Sequence, residues 1–277
     1  MLTFAPSDLR QLDDVGLVVE DLVRLADIDP SCIMLVGARC RDALHGALGQ
    51  TSANTATQDL DLGIALADWA AFERVERAFR RVGSNGIRYL ISGVPVDVMP
   101  FGSPIEDPSG ISSPATRTEG LVVFGFEDVF AQALLIDLPG AGHRIRIPTP
   151  AGYAALKARA WVDRSVYGEP KDAIDFGLIL RWYDDWTEVQ DRLYGDQLNI
   201  AERYEFDMPL AAAHLLGSDV RASLAPSNAD ALALAFAGSD LLRFASHMAV
   251  QPKSQDRQVE IVGAFRAGLE AIDVSVA

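Results

Sequence analysis

Cysteine is almost missing from this chain: Cys32 and Cys40 are the only two. Two thiols build no disulfide framework, and neither has a metal-type partner close by in sequence. No apolar run approaches the ~20 residues of a membrane-spanning helix. The opening stretch MLTFAPSDLRQLDD lacks the basic and apolar segments of a signal peptide, so a soluble, cytoplasmic protein with no membrane partner is expected. Positive charge is also short. The chain has 24 Lys and Arg against 39 Asp and Glu, a formal net charge of −15. Such a chain repels nucleic acid at long range, and a general polyanion binder is not expected. A local basic cleft, or metal ions that offset carboxylates, stays compatible with that balance. There is no GxxxxGK[ST] and no GxGxxG. No Gly-x-Ser-x-Gly element or Cys–His pairing argues for acyl transfer. His45, His143, His214 and His247 form no metal spacing and read as structural or surface groups. No repeat or low-complexity tail is present.

What is there suffices for a large core: 277 residues, 49% of them hydrophobic. Leu9, Leu12, Val15, Val18, Leu22 and Leu25 recur every three or four positions, which predicts an amphipathic helix over 7–27, with Ser7 as a possible cap. CIMLVG (32–37) reads as a buried strand and ARCRDALHGAL (38–48) as a helix. QDLDLGIAL (58–66) reads as a strand and ADWAAFERVERAFRRVG (67–83) as a helix ending near Gly83. IRYLIS and VPVDVMPF flank Gly93 as a hairpin. Residues 102–119 read as a loop, and the segment up to 148 as short strands around a turn at Pro139–Gly142. In it, HRIR (143–146) alternates as a strand; a polyanion contact is open to it, and a solvated edge is the plainer expectation. From 149 onward the pattern is helical, with loops near 195–208, 217–228 and 251–256. Trp161, Trp182 and Trp186 belong to the helical core. Two domains follow: a mixed α/β domain over 1–148 with flanking helices, and a helical domain over 149–277.

The chemistry is concentrated in TQDLDLGIAL. On a strand, residues i and i+2 share a face, so Asp59 and Asp61 project together while Leu60 and Leu62 point into the core. Neighbouring carboxylates repel each other. A hard divalent cation with oxygen ligands, Mg²⁺ or Mn²⁺, is the usual compensation. Asp97, between Val96 and Val98, is a third carboxylate inside an apolar run. It joins the other two if its strand lies beside theirs. A lone Asp on a strand is otherwise an edge or turn residue. Upstream, Gly37 stands where a strand exits into a helix. Orphan N–H groups and the macrodipole there attract phosphate, and glycine allows close approach. Taken singly, most such turns are only turns. In the second half, Lys157 and Arg164 lie two helical turns apart, on one face, with Arg159 elsewhere. Lys171, Asp172 and Asp175 open the next helix, where capping and dipole chemistry is the ordinary explanation.

A glycine turn after a strand, a D-x-D strand and a later strand aspartate together resemble the nucleotidyltransferase superfamily of the DNA polymerase β type. VGARCRDAL, ATQDLDLGIAL, VDVMPFG and LKARAWVDR…KDAIDFGLIL, in that order, look like the AbiEii/AbiGii (MenT-like) toxin-type nucleotidyltransferases. The resemblance covers roughly residues 30–183, and LLGSDV (215–220) also looks familial. It implies a nucleotidyltransferase-type mixed sheet with a C-terminal helical domain, and transfer of a nucleoside monophosphate from a triphosphate. Gly37 and Ala38 would hold the triphosphate, and Asp59, Asp61 and Asp97 the Mg²⁺ or Mn²⁺. Lys157 would contact phosphate, oriented by Asp172 and, with it, Asp175, either of which could instead orient the incoming nucleotide. Asp97 is also a candidate general base. The commonest form of the glycine motif has Gly or Ser second. Ala38 departs from it and removes a hydroxyl that could bond phosphate, which Arg39 or Arg41 could replace. The implied partners are a tRNA or other RNA acceptor and a cognate antitoxin. A small-molecule or protein acceptor stays open. So does a catalytically silent nucleotide-binding or interaction module on the same scaffold. A plain helical partner protein with incidental aspartates is the weakest alternative.

Overall fold

The computed structural model describes residues 2–5, 9–50, 59–248 and 254–271. The chain divides into two compact units, Met1–Thr149 and Pro150–Ala277.

The first unit is a mixed α/β layer. A 3₁₀ turn, Arg10–Leu12, leads into α1 (Asp13–Ala26). Then come β1 (Ile33–Val36), α2 (Gly37–Ala47), β2 (Leu60–Ala65), α3 (Trp69–Ala78), β3 (Arg80–Arg81), β4 (Arg88–Ile91), β5 (Val94–Phe101), β6 (Ile111–Ser112), β7 (Leu121–Val122), α4 (Phe126–Ala131), β8 (Leu134–Asp137) and β9 (Arg144–Ile147). Among the described residues, seven strands form one sheet in the order β3-β4-β5-β2-β1-β9-β8, and β6 and β7 pair separately. β1 runs antiparallel to β2, while β2 and β5 are parallel neighbours. Every residue of β1 is buried, as expected for a central strand with both faces covered.

Several sequence expectations are corrected. The first helix begins at Asp13, not at 7, and the Ser7 cap and residues 57–58 lie outside the described residues. Its buried stripe runs through Val15, Val18, Val19, Leu22 and Ala26, while Leu25 is exposed. A 3.6-residue period carries the face from 22 to 26, not to 25. The helix expected to reach 83 stops at Ala78: Phe79 is extended, and Arg80–Arg81 pair with Leu90 and Tyr89 as an edge strand. Ile111–Ser112, expected as loop, pairs with Leu121–Val122. Phe126–Ala131, expected among strands, is a short helix entered through Gly125 at φ +75°. The β4–β5 hairpin is present. Its two-residue turn, Ser92 (φ 49°) and Gly93 (φ 79°), suits the right-handed twist of the strands and sets the register Ile91↔Val94.

Among its described residues the second unit is all-helical: α5 (Pro150–Arg164), α6 (Lys171–Asp185), α7 (Thr187–Leu193), α8 (Leu198–Arg203), α9 (Met208–Ala222), α10 (Pro226–Ala237), α11 (Leu241–His247) and α12 (Gln255–Glu270). Two expected loops are corrected here. Leu198–Arg203 is a short helix within 195–208, and α9 runs unbroken to Ala222, through the first half of 217–228. Residues 251–253 of the third expected loop lie outside the described residues, and 255–256 already belong to α12. The core is aromatic. Phe176 stands 4.8 Å from Phe265 and 5.2 Å from Phe244, and Trp161 stands 5.0 Å from Phe244, ring centre to ring centre. Trp161 and Trp182 are fully buried, and Trp186 packs edge-on to Tyr183. No helix among the described residues is long and apolar enough to cross a membrane.

Candidate active site

The carboxylates meet through strand register. Asp61 on β2 is the direct partner of Asp97 on β5, and Asp97 is in turn the partner of Arg88 on β4. Residues opposite each other in a sheet share a face. Asp59, two residues before Asp61, reaches the same group. Arg88 Nε donates to Asp97 Oδ1 at 2.7 Å and Nη2 to Asp97 Oδ2 at 2.9 Å, the paired geometry of a guanidinium on a carboxylate. The same Nη2 donates to Asp59 Oδ2 at 3.1 Å. Asn85 adds a bond from Nδ2 to Asp97 Oδ1 at 3.0 Å. The Asp97 hydrogen bonds push the Arg88 guanidinium above its already high ordinary pKa, against the pull of burial. The charges of Asp97, Asp59 and Asp61 add to the rise.

Asp61 is placed by glycine. Val36 on β1 pairs with Asp61, and the next residue, Gly37, opens α2 at φ +67°. A Cβ on Gly37 would lie 1.9 Å from Asp61 Oδ2, so the carboxylate fills the space that any side chain would take. Further along the same face, Gly63 lies under Phe101, and Phe126 and Phe130 pack on Phe101 with ring centres 5.6 and 5.4 Å away. The face thus passes from acidic to aromatic within a few residues, and α4 covers its apolar end.

The other residues singled out in sequence divide between the units. Ala38 is buried in the first turn of α2. Arg39 is turned toward α1, with Nη1 donating to the Gln11 carbonyl at 3.1 Å and Nη2 paired with Asp14. Arg41 is buried and its Nε bonds Asp42 at 2.8 Å. Lys157, Asp172 and Asp175 come together inside the second unit. Lys157 Nζ lies 3.3 Å from Asp172 Oδ1 and 2.5 Å from Asp175 Oδ2, and all three side chains are buried. Arg164, one face along α5, places Nε and Nη2 on Asp172 at 3.0 and 2.8 Å. Arg159 instead pairs with Asp163 on its own helix. β9 lies between β1 and β8, so HRIR is not the expected edge: Arg144 pairs with Asp137 and the Arg146 guanidinium lies over Phe130, while Ile145 and Ile147 are buried. Tyr204 Oη lies 3.0 Å from His214 Nδ1.

Arg88 and Asn85 are the residues that the sequence reading missed. The signal for Arg88 was local. A two-residue turn at Ser92–Gly93 pairs 91 with 94, and counting outward along the hairpin brings 88 opposite 97. Three carboxylates on one face are the donor chemistry of a hard divalent cation, so the residue types fit Mg²⁺ or Mn²⁺. Among the described residues, however, no group of three or more His, Cys, Asp or Glu side chains stands in metal-holding geometry; here Arg88 supplies the positive charge to Asp97 and Asp59.

No protein-family model matches the chain, and no curated protein or solved structure matches it at a significant level.

Proposed function

We propose that the chain is a metal-dependent nucleotidyltransferase that moves a nucleoside monophosphate from a nucleoside triphosphate to an acceptor hydroxyl. One observation carries the reading: Asp61 and Asp97 are cross-strand partners, Asp59 reaches the same face, and Gly37 opens a helix against the Asp61 carboxylate. Asp59, Asp61 and Asp97 would hold Mg²⁺ or Mn²⁺. A bound divalent cation supplies charge neutralisation on the phosphates and lowers the pKa of an acceptor hydroxyl. The N–H groups at the start of α2, an 11-residue helix, bind phosphate oxygens by charge and dipole. The hydroxyl oxygen attacks the α-phosphorus in line, the bond from that phosphorus to the bridging oxygen breaks, and pyrophosphate leaves. Asp97 is the candidate acceptor of the hydroxyl proton. In the second unit, Asp172 and Asp175 fix the buried ammonium of Lys157.

The acceptor class is RNA by the toxin-type resemblance, with a cognate antitoxin as partner. The acid excess, which both units share, favours a short RNA contact or a small cationic acceptor over an extended RNA footprint. The test is incubation with each labelled triphosphate, Mg²⁺ or Mn²⁺, and acceptors including total tRNA. Wild type is expected to label one acceptor class, and Asp61→Asn to lose at least ~100-fold of that rate. A wild-type protein that binds nucleotide but labels nothing favours the silent binding module.

A further inference from the structure

Arg88 occupies the oxygens that a divalent cation would need. Both oxygens of Asp97 and one of Asp59 lie within hydrogen-bond distance of its guanidinium. Asp61 alone is turned elsewhere, against Gly37. The partners differ in freedom. The Asp97 side chain is 14% exposed and sits mid-strand, whereas the Arg88 side chain is 29% exposed on a long flexible stem. Mg²⁺ demands oxygen ligands near 2.0–2.1 Å in octahedral array, which a carboxylate clasped by a guanidinium fork cannot supply at the same time.

We propose that Arg88 is the resident counter-ion of this site, and that a divalent cation enters by exchange with it at Asp97 and Asp59. Arg88 is therefore a positioning residue that sets the affinity for the ion. It keeps Asp97 and Asp59 together while the ion is away, and its departure frees both. This rests on the transferase reading only in taking the ion to be Mg²⁺ or Mn²⁺. A purely structural ion pair would cost stability when removed and would not change ion binding. An exchange partner, when removed, tightens it.

The experiment is a titration with Mn²⁺ alone, following free Mn²⁺ by electron paramagnetic resonance, on wild type, Arg88→Ala, Arg88→Lys and the exposed control Arg81→Ala. Asp61→Asn assigns the binding to this site by abolishing it. Arg88→Ala is expected to bind Mn²⁺ on the order of tenfold more tightly than wild type, the scale of one lost charge-assisted pair. Arg88→Lys, which keeps the charge but not the fork, falls between, and Arg81→Ala matches wild type. Mn²⁺ should also raise the melting temperature of Arg88→Ala more than that of wild type. If Arg88→Ala does not fold, Arg88→Lys decides by the same comparison. Equal or weaker binding in the Arg88 variants, with wild type binding measurably, overturns the exchange and leaves the transferase reading standing. No Mn²⁺ binding by any variant at millimolar ion overturns both.

Discussion

Gly37 carries two constraints at once: a left-handed backbone and the carboxylate of Asp61 where a Cβ would be. Gly37→Ala is expected to destabilise the first unit by about 2–3 kcal/mol, combining backbone strain with a displaced carboxylate. Urea unfolding followed by circular dichroism measures it. Mn²⁺ binding should weaken in the same variant, because Asp61 must move. Ala38 beside it is buried without need of a hydroxyl, which is why the glycine was legible as special and the departure at 38 left no structural mark. His214 gives the pH dependence. Burial, with the Arg203 charge second, lowers its pKa from 6.5 to about 4. The unfolded chain therefore takes up a proton below pH 6.5 that the folded chain refuses until about pH 4. The contribution is complete above 6.5 and is lost as pH falls toward 4. The melting temperature should drop by roughly 3–8 °C more over that window in wild type than in His214→Gln, by scanning calorimetry.

Helix α9 crosses α12 at two glycines. A Cβ on Gly217 would lie 2.1 Å from the Phe265 carbonyl oxygen, and one on Gly268 would lie 1.9 Å from the His214 carbonyl oxygen. Backbone cannot yield as a flexible side chain can, so Gly268→Ala must part the helices. The expected loss is about 1–3 kcal/mol of overpacking, partly offset by the better helix propensity of alanine. Gly263→Ala on the same helix meets nothing and should stabilise by up to ~1 kcal/mol. Thermal melts of the two variants, moving in opposite directions, check the pair. Element boundaries explain most of the misreadings. FEDVFA is only six residues, too short for a helical period to show, and its Val and Phe content imitates a strand. Arg80–Arg81 follow a helical pattern without a break, and only pairing with β4 makes them strand. A loop is expected over 217–228, yet Gly217 serves close packing inside a helix that continues to Ala222.

Across the whole chain, β9 ends at Ile147 and α5 begins at Pro150. Each unit holds a core of its own, one built on the sheet and the other on the aromatic cluster around Phe176. A fragment of residues 1–149 is expected to melt cooperatively by itself, which circular dichroism of the isolated fragment checks. A non-cooperative melt would show that its core depends on the rest of the chain. The sequence by itself determined the division into an α/β half and a helical half, the hairpin at Gly93, and the shared side of Asp59 and Asp61. All of these follow from periodicity and turn chemistry acting over a few residues. Only the tertiary structure decided that Asp97 lies beside Asp61, that Asp61 fills the space at Gly37, and that Arg88 spans Asp97 and Asp59. Parallel pairing of β2 with β5 joins strands more than thirty residues apart. No local period encodes which strand becomes a neighbour, and Asp59 and Asp61 meet Asp97 and Arg88 only through that pairing.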